Sequence, residues 1–246
     1  MPHLKLQNLT LGYDRHPAVH HLDGIVNDGA LIAVVGPNGA GKSTLFKAIA
    51  GMLKPLAGSI TRDATDSRGI GYLAQAPDID RSFPIGVYDM VAMGLWRSRG
   101  VFGGIGAKDH QAIAAAIAAV GLTGFERRPI GTLSGGQMQR MLFARLLAQD
   151  ARLILLDEPF DAIDARTSAE LLKLVQGWHR ERRTVLAALH DVDLVRAIFP
   201  ETLLLARESV AWGPTREVLT AENLNKARRM CEAFDEAAET CAVAAE

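Results

Sequence analysis

The 246 residues carry a formal net charge of −1 and are 48% hydrophobic, enough apolar material for one large domain or a domain with a subdomain, and too much for a disordered chain. A near-neutral charge lacks the single-sign field of an electrostatically driven nucleic-acid binder, so no nucleic-acid partner is expected. No window approaches the roughly 18 to 20 apolar residues of a membrane span, and MPHLKLQNLTLGY lacks a basic segment followed by an apolar one; a cytoplasmic place is expected, with any work on a membrane passing through a partner.

In chain order, LKLQNLTLGY (4–13) alternates as a half-buried strand does. HPAVHH (16–21) invites a metal-sensor reading because imidazole binds zinc, but its spacing repeats no established site, and it is taken as a loop. ALIAVV (30–35) is a continuous apolar run ending in Gly36, the pattern of a strand covered on both faces. A helix is predicted over Lys42 to Gly51, with the glycine as its cap.

From about Pro84 to Gln149 helical signals replace strand signals: Val87 to Leu95, then Ile113, Ile117 and Val120 on one face, then Gln137 to Gln149. RSRGVFGGIGAK (97–108), with four glycines, reads as a flexible connection. RLILLD (152–157) and TVLAAL (184–189) are buried-type strands, separated by a helix whose Leu171, Leu174, Val175 and Trp178 recur at helical spacing. A β-α-β unit of this kind implies parallel strands. TLLLA (202–206) and SVAWG (209–213) predict a hairpin, and an Ala/Glu/Arg-rich helical tail begins at Ala221. Cys231 and Cys241, both in that tail, form neither a disulfide framework nor a zinc spacing. A helical subdomain inserted into an α/β core is the architecture that results.

The chemistry begins at GPNGAGKS, which follows a buried strand and opens a helix. Gly36, Gly39 and Gly41 let the backbone of Pro37, Asn38 and Ala40 curl so that successive N–H groups face a polyphosphate, reinforced by the helix N-terminus. Lys42 is placed to neutralise the β- and γ-phosphates, Ser43 to ligate Mg²⁺, and Thr44 to add a phosphate hydrogen bond. A glycine-rich turn with an exposed lysine is the alternative, but such a loop also needs a metal-side carboxylate, and Asp157 and Glu158 supply it at a strand end. Asp157 can hold Mg²⁺, and Glu158 can polarise the attacking water.

LSGGQ, residues Leu133, Ser134, Gly135, Gly136 and Gln137, brings a family into view: with the motifs above, the chain resembles the ATP-binding-cassette ATPases, whose signature this pentapeptide is. In physical terms a hydroxyl, bare backbone N–H groups and a helix N-terminus make a second anion site. The resemblance implies an α/β fold: a RecA-like P-loop NTPase core with a mostly parallel sheet, an N-terminal antiparallel β subdomain and an inserted helical subdomain. One cassette over 1–246 would divide into a core (about 1–83 and 150–225), the helical insert (about 84–149) and a tail (226–246). It further implies ATP and Mg²⁺ as ligands, and a head-to-tail dimer in which each nucleotide lies between the P-loop of one copy and the signature of the other. Tyr13 matches the aromatic that stacks on adenine; Gln75, the glutamine that reaches Mg²⁺ and water; Asp164, the aspartate of the loop crossing the dimer interface; and His190, the histidine that contacts the γ-phosphate. EPFDAIDA departs from many relatives, which have a small hydroxyl residue at the position of Phe160 or Asp161.

RSFPIGVYDMVAMG (81–94) lies after Gln75, where the family forms the groove that receives a membrane subunit. Phe83, Pro84, Ile85, Val87, Met90 and Met93 would line it, Met and aromatics adapting well to a partner's contours. Val87, Met90 and Val91 can equally be the core face of a helix, with Phe83 plugging its end. The stretch is similar to the branch of the family serving zinc and manganese uptake. That implies an integral membrane permease, an extracytoplasmic metal-binding protein and a place on the cytoplasmic face of the plasma membrane. An importer of iron chelates or haem is the alternative cargo, and a soluble mechanical ATPase the alternative class; the single cassette and the absence of a heptad run argue against the latter.

Overall fold

The structure, a computed structural model, describes residues 2–13, 16–62, 69–75, 79–100, 103–161 and 163–232. Strands β1 (Pro2–Tyr13) and β2 (His16–Asn27) pair antiparallel, followed by β3 (Leu31–Val35), helix α1 (Lys42–Ile49), β4 (Ala57–Arg62) and β5 (Ile70–Leu73). Four helices come next: α2 (Val87–Ala92), α3 (Trp96–Arg99), α4 (Ala107–Ala119) and α5 (Gly135–Gln149). The chain then runs through β6 (Leu153–Asp157), α6 (Ala165–Arg180), β7 (Thr184–Leu189), α7 (Val192–Ile198), β8 (Glu201–Ala206), β9 (Glu208–Pro214), α8 (Thr215–Val218) and α9 (Ala221–Glu232).

The strands form two sheets. β2-β1-β4 is antiparallel, and β5-β6-β7-β3-β8-β9 is parallel except for the β8–β9 hairpin. The continuous apolar run of β3 follows from burial on both faces: Leu31, Ala33 and Val35 belong to a core built with α2, α4, α5 and α6, while Ile32 and Val34 belong to a second core shared with β1, β2 and α1. Each Leu, Ile or Val side chain so removed from water contributes about 1.5 to 3 kcal/mol.

The expected strands, the parallel unit and the hairpin are all present. Gly51 follows the end of α1, where the amides of Gly51 and Met52 bond the carbonyls of Ala48 (3.0 Å) and Lys47 (2.8 Å), a standard helix stop.

Two sequence expectations need correction. HPAVHH is strand, not loop. Its buried Val19, Leu22 and Val26 are not two apart, because His21 and Asn8 on the facing strand both take left-handed φ values (46° and 44°) and interrupt the ladder. That irregularity hides the alternation by which a strand is recognised. His21 Nδ1 lies 2.7 Å from Asn8 Oδ1, and the backbone N–H of His20 bonds the Arg207 carbonyl at 2.7 Å, so both residues are built into the sheet scaffold. The glycine-rich stretch 97–108, in turn, is partly helical: Arg97 and Arg99 lie in α3, and the Arg99 guanidinium bonds Asp109, which also accepts the Gly106 N–H (2.9 Å) at the start of α4. Cys231 is in α9, partly buried against the core; Cys241 lies outside the described residues.

Candidate nucleotide site

The parallel sheet gathers the site. β5, β6, β7 and β3 lie side by side and run the same way, with Leu73 opposite Leu156, Asp157 opposite Ala188, and Val35 opposite Leu189. The residues just past their C-terminal ends therefore form a row: Gln75, Asp157 with Glu158, His190, and the loop from Gly36. Such an edge of an open α/β sheet is where ligands bind.

The loop has the shape its glycines predict. A Cβ on Gly36 would stand 2.0 Å from the Leu205 carbonyl oxygen. Gly41, with φ +96°, would drive a Cβ to 2.4 Å from Val19 Cγ2 and 2.6 Å from the Ala18 carbonyl oxygen. β2 therefore backs the loop and requires glycine there. Lys42 is 5% exposed and donates to the carbonyls of Gly36 (2.8 Å) and Pro37 (3.2 Å). Burial lowers its pKa, opposed by the negative charges of Glu158 and Asp157.

A cavity of about 620 Å³ opens between this loop and the strand-end row. Asn38, Gly39, Ala40, Gly41, Lys42, Ser43 and Thr44 form one wall, Gln75, Glu158, Asp161 and His190 the other, with Ala18 at the back. Glu158 bridges its wall: His190 Nε2 is 2.5 Å from one carboxylate oxygen, and the Gln75 amide donates to the other. Its backbone takes a left-handed φ of 51°, with its N–H on the Ala188 carbonyl at 3.2 Å. Such a conformation costs a non-glycine residue about 1 to 2 kcal/mol, a strain of the kind that clusters at active sites.

Asp157 is 2% exposed. Tyr72 donates to its Oδ2 at 3.3 Å, while Oδ1 is buried with no hydrogen-bond partner among the described residues. Burial raises its pKa, Ser43 beside it opposes that by hydrogen bonding, and the charge of Glu158 adds to the rise. Asp161 is also pushed up, by burial first and the charge of Glu158 second. Three carboxylates around one lysine, one of them with an unmatched buried oxygen, fit a divalent cation; Ser43, Asp157 and Gln75 are the residues expected from the sequence to hold it.

The other predicted residues are not in this cavity's wall, although Gly135 lines an adjoining cavity of about 380 Å³ with Gln75, Glu158 and Asp161. Tyr13, 47% exposed at the end of β1, is not part of the cavity wall, and the Lys47 ammonium lies 5.9 Å from its ring centroid. Leu133 is buried; Ser134 caps α5, accepting the Gln137 N–H at 3.3 Å while Gln137 Oε1 accepts the Ser134 N–H at 3.0 Å. Gly135 opens α5 and Gly136 packs against Asp164 and Thr167. None of residues 133–137 lines the 620 Å³ cavity. Asp164 caps α6, accepting from the Thr167 N–H at 2.9 Å, a bond that lowers its pKa.

The groove expected on 81–94 is redrawn by burial. Val87 is 0% exposed and Met90 is buried with it in the core, so neither faces a partner; Ile85 packs partly against the same core. Phe83 and Pro84 are exposed, Phe83 at 61%. An open cavity of about 320 Å³ lies further along, lined by Met93, Leu95, Trp96 and Ile105 beside Asp89 and Arg99. Trp96 and Ile105 go beyond the sequence expectation; the signal for them is a tryptophan and an isoleucine in a glycine-rich segment that also carries Leu95, Val101 and Phe102. Asp161 was noticed only as a departure, and nothing in the spacing placed it in the cavity wall. Phe160 turns inward, its ring 6.4 Å from that of Phe143, which stacks in turn on Trp178 at 5.8 Å.

A sequence model of the ABC transporter family matches residues 19–161. The chain is 37% identical over 225 residues to the manganese transport system ATP-binding protein MntB of Listeria innocua, covering 90% of this chain and 94% of the relative. Its identity to the manganese transport system ATP-binding protein MntA of Synechocystis is 38% over 213 residues, covering 84% and 82%. Among solved structures, it superposes with a TM-score of 0.82 and 33% identity on a chain of an ABC transporter described as of metal-chelate type, in an inward-facing conformation, covering 93% of this chain and 90% of that one.

Proposed function

The chain belongs to the ABC transporter family and is an ATP-hydrolysing enzyme, and from that premise we propose that it is the ATPase subunit of a membrane importer for a divalent metal ion, manganese in the first place. The observation that carries the reaction is the Glu158 carboxylate held between Gln75 and His190 across the cavity from the P-loop. The manganese systems among its relatives support that cargo over zinc.

In the proposed reaction the N–H groups of residues 38–44 and the Lys42 ammonium hold the triphosphate. Tyr13 offers an exposed ring face to adenine. Glu158 accepts the proton of a water that Gln75 and His190 orient in line with the γ-phosphate; the new P–O bond forms as the bond to ADP breaks. Ser43, Asp157 and Gln75 would hold Mg²⁺, which would supply neutralisation of the phosphate oxygens.

The signature residues 133–137 of one copy are not in the wall of its own P-loop cavity. A second copy, head to tail, supplies them with its Ser134, Gly135, Gly136 and Gln137, and brings its Asp164 across the interface. ATP draws the copies together and product release parts them. The core (about 1–83 and 150–225) does the chemistry; the helical insert (about 84–149) carries the signature and meets the permease.

No helix among the described residues is long and apolar enough to cross a membrane, which suits a subunit held at the cytoplasmic face of the membrane by its partner. The docking surface runs from Phe83 to Met93, Trp96 and Ile105, all exposed. An extracytoplasmic metal-binding protein delivers the cargo to the permease. The likeness to a metal-chelate type transporter supports a second reading, a chelated metal such as an iron chelate or haem.

The test is co-purification with candidate permeases and ATP-driven manganese uptake in vesicles. Uptake should vanish with Lys42→Ala. Unchanged uptake would remove the transport role, and stimulation by a siderophore or haem system alone would establish the second reading.

A further inference from the structure

Arg140 lies on α5 just beyond the signature turn and ties three elements together. Its Nη1 donates to the Val120 carbonyl at 2.9 Å, at the end of α4. Its Nη2 reaches Thr167 Oγ1 at 3.2 Å and Glu170 Oε2 at 2.6 Å, both on α6. The Thr167 hydroxyl passes the connection on, donating to Asp164 Oδ2 at 2.8 Å. Gly136 sits on this same junction: a Cβ built there would stand 3.5 Å from Thr167 Oγ1 and 3.6 Å from Asp164 Oδ2. A second strap runs from Gln139 Nε2 to the Pro159 carbonyl at 2.7 Å, one residue past Glu158.

The Arg140 side chain is 17% exposed and Thr167 is buried, while Glu170 is 39% exposed, so the bonds through the Thr167 hydroxyl are sheltered and the ion pair to Glu170 is partly screened by solvent. The planar guanidinium serves two helices at once, which a single ammonium does not. The Thr167 hydroxyl both accepts and donates, making the path from Arg140 to Asp164 continuous.

We propose that Arg140 and Thr167 form a relay that locks the signature turn to Asp164, so that these two elements move as one body, and that Arg140 is thereby a positioning residue for the nucleotide site of the partner copy. The inference rests on the head-to-tail dimer proposed above. Within one chain the Gln139 strap ties α5 to the loop that carries Glu158, and the relay ties the same helix to Asp164, a residue that acts in the other site, so the two together link the sites. Its worth lies in placement, because an error of about 1 Å in a phosphate-binding group costs on the order of a hundredfold in rate.

The experiment compares full-length wild type with Thr167→Val, which deletes the hydroxyl but keeps the shape and the backbone bond to Asp164, and with Arg140→Lys, which keeps the charge but not the fork. Nucleotide affinity of the single copy, measured by ATP-analogue fluorescence without Mg²⁺, should stay within about twofold, since neither side chain lines the cavity. Steady-state phosphate release should show kcat reduced by about 3- to 30-fold, and a Hill coefficient for ATP falling from above 1 toward 1. Variants that keep the wild-type kcat and Hill coefficient overturn the relay, including any with a lowered Tm assayed below that temperature. A wild type that shows neither cooperativity nor ATP-driven dimers would instead bring down the dimer reading, and the relay with it.

Discussion

His190 Nε2 stands 2.5 Å from Glu158 Oε1, and the Gln75 amide closes on the other oxygen of the same carboxylate. A carboxylate bridged in this way is fixed at the cavity wall yet remains an acceptor for a water proton, as a general base requires. Glu158→Gln keeps the shape but not the basicity, and should lower kcat by about 10² to 10⁴ while ATP is still bound. Phosphate release measures the first effect, and a size-exclusion shift with co-eluting ATP the second. Turnover at the wild-type rate would remove Glu158 from the proton-transfer role.

Asp157 should reveal the cation through stability. Burial raises its pKa above the unfolded value, so the folded state holds that proton more tightly than the unfolded chain. Its contribution to stability is complete below the unfolded value, near 4, and is lost as pH rises through the folded value. At neutral pH the nucleotide-free protein therefore carries a buried charge that works against folding. Asp157→Asn should raise the Tm of the nucleotide-free protein at pH 7, about 2 to 4 °C for each kcal/mol relieved in a chain of this size, and the gain should shrink toward pH 4. The same variant should lose most of the further stabilisation that Mg²⁺ with ATP gives wild type. Differential scanning fluorimetry across pH, with and without Mg²⁺ and ATP, measures both; a variant still fully stabilised by Mg²⁺ would exclude Asp157 as a ligand.

The P-loop was legible because its chemistry is local: Lys42 folds back on the carbonyls of Gly36 and Pro37, all within one motif. β3, β6 and β7 were legible because burial on both faces leaves an unbroken apolar run. β2 was not, since the left-handed pair His21 and Asn8 shifts its register. Val87 and Met90 exposed a different limit. Apolar residues at helical spacing look the same whether the face meets the protein's own core or a partner's helix, and here it meets α5 and α4. Asp161 follows Glu158 on one loop, but its place in the cavity comes from the P-loop facing it from a separate strand, a relation that sequence order does not contain.

On the proposed docking surface, Trp96, 54% exposed beside Met93 and Ile105, is the side chain whose removal should separate the subunit from its permease. A central interface tryptophan is commonly worth 2 kcal/mol or more, so Trp96→Ala should weaken permease binding by about 30-fold or more. Pull-down against the cognate permease in detergent, with circular dichroism as the check on folding, measures this. Val87→Ala, a change in the buried core, should instead lower the Tm. Undiminished capture of the Trp96→Ala protein would place the docking surface elsewhere, with Phe83 the next side chain to remove.

Phe160 tests the departure from the family pattern. The ring stacks on Phe143, which stacks on Trp178, and it stands two residues past Glu158, so it pins the loop that carries Glu158 to the core. A fully buried Phe→Ala change costs about 3 to 5 kcal/mol; Phe160 is only partly buried, and Phe160→Ser should cost about 2 kcal/mol, a fall of roughly 4 to 8 °C in Tm. Loosening that anchor should also lower kcat more than it changes the KM for ATP, because the P-loop wall is untouched while the Glu158 wall loses its support. Calorimetry and steady-state kinetics, run well below the lowered Tm, distinguish these effects. An unchanged Tm with unchanged kcat would show that the aromatic stack holds neither the fold nor the loop.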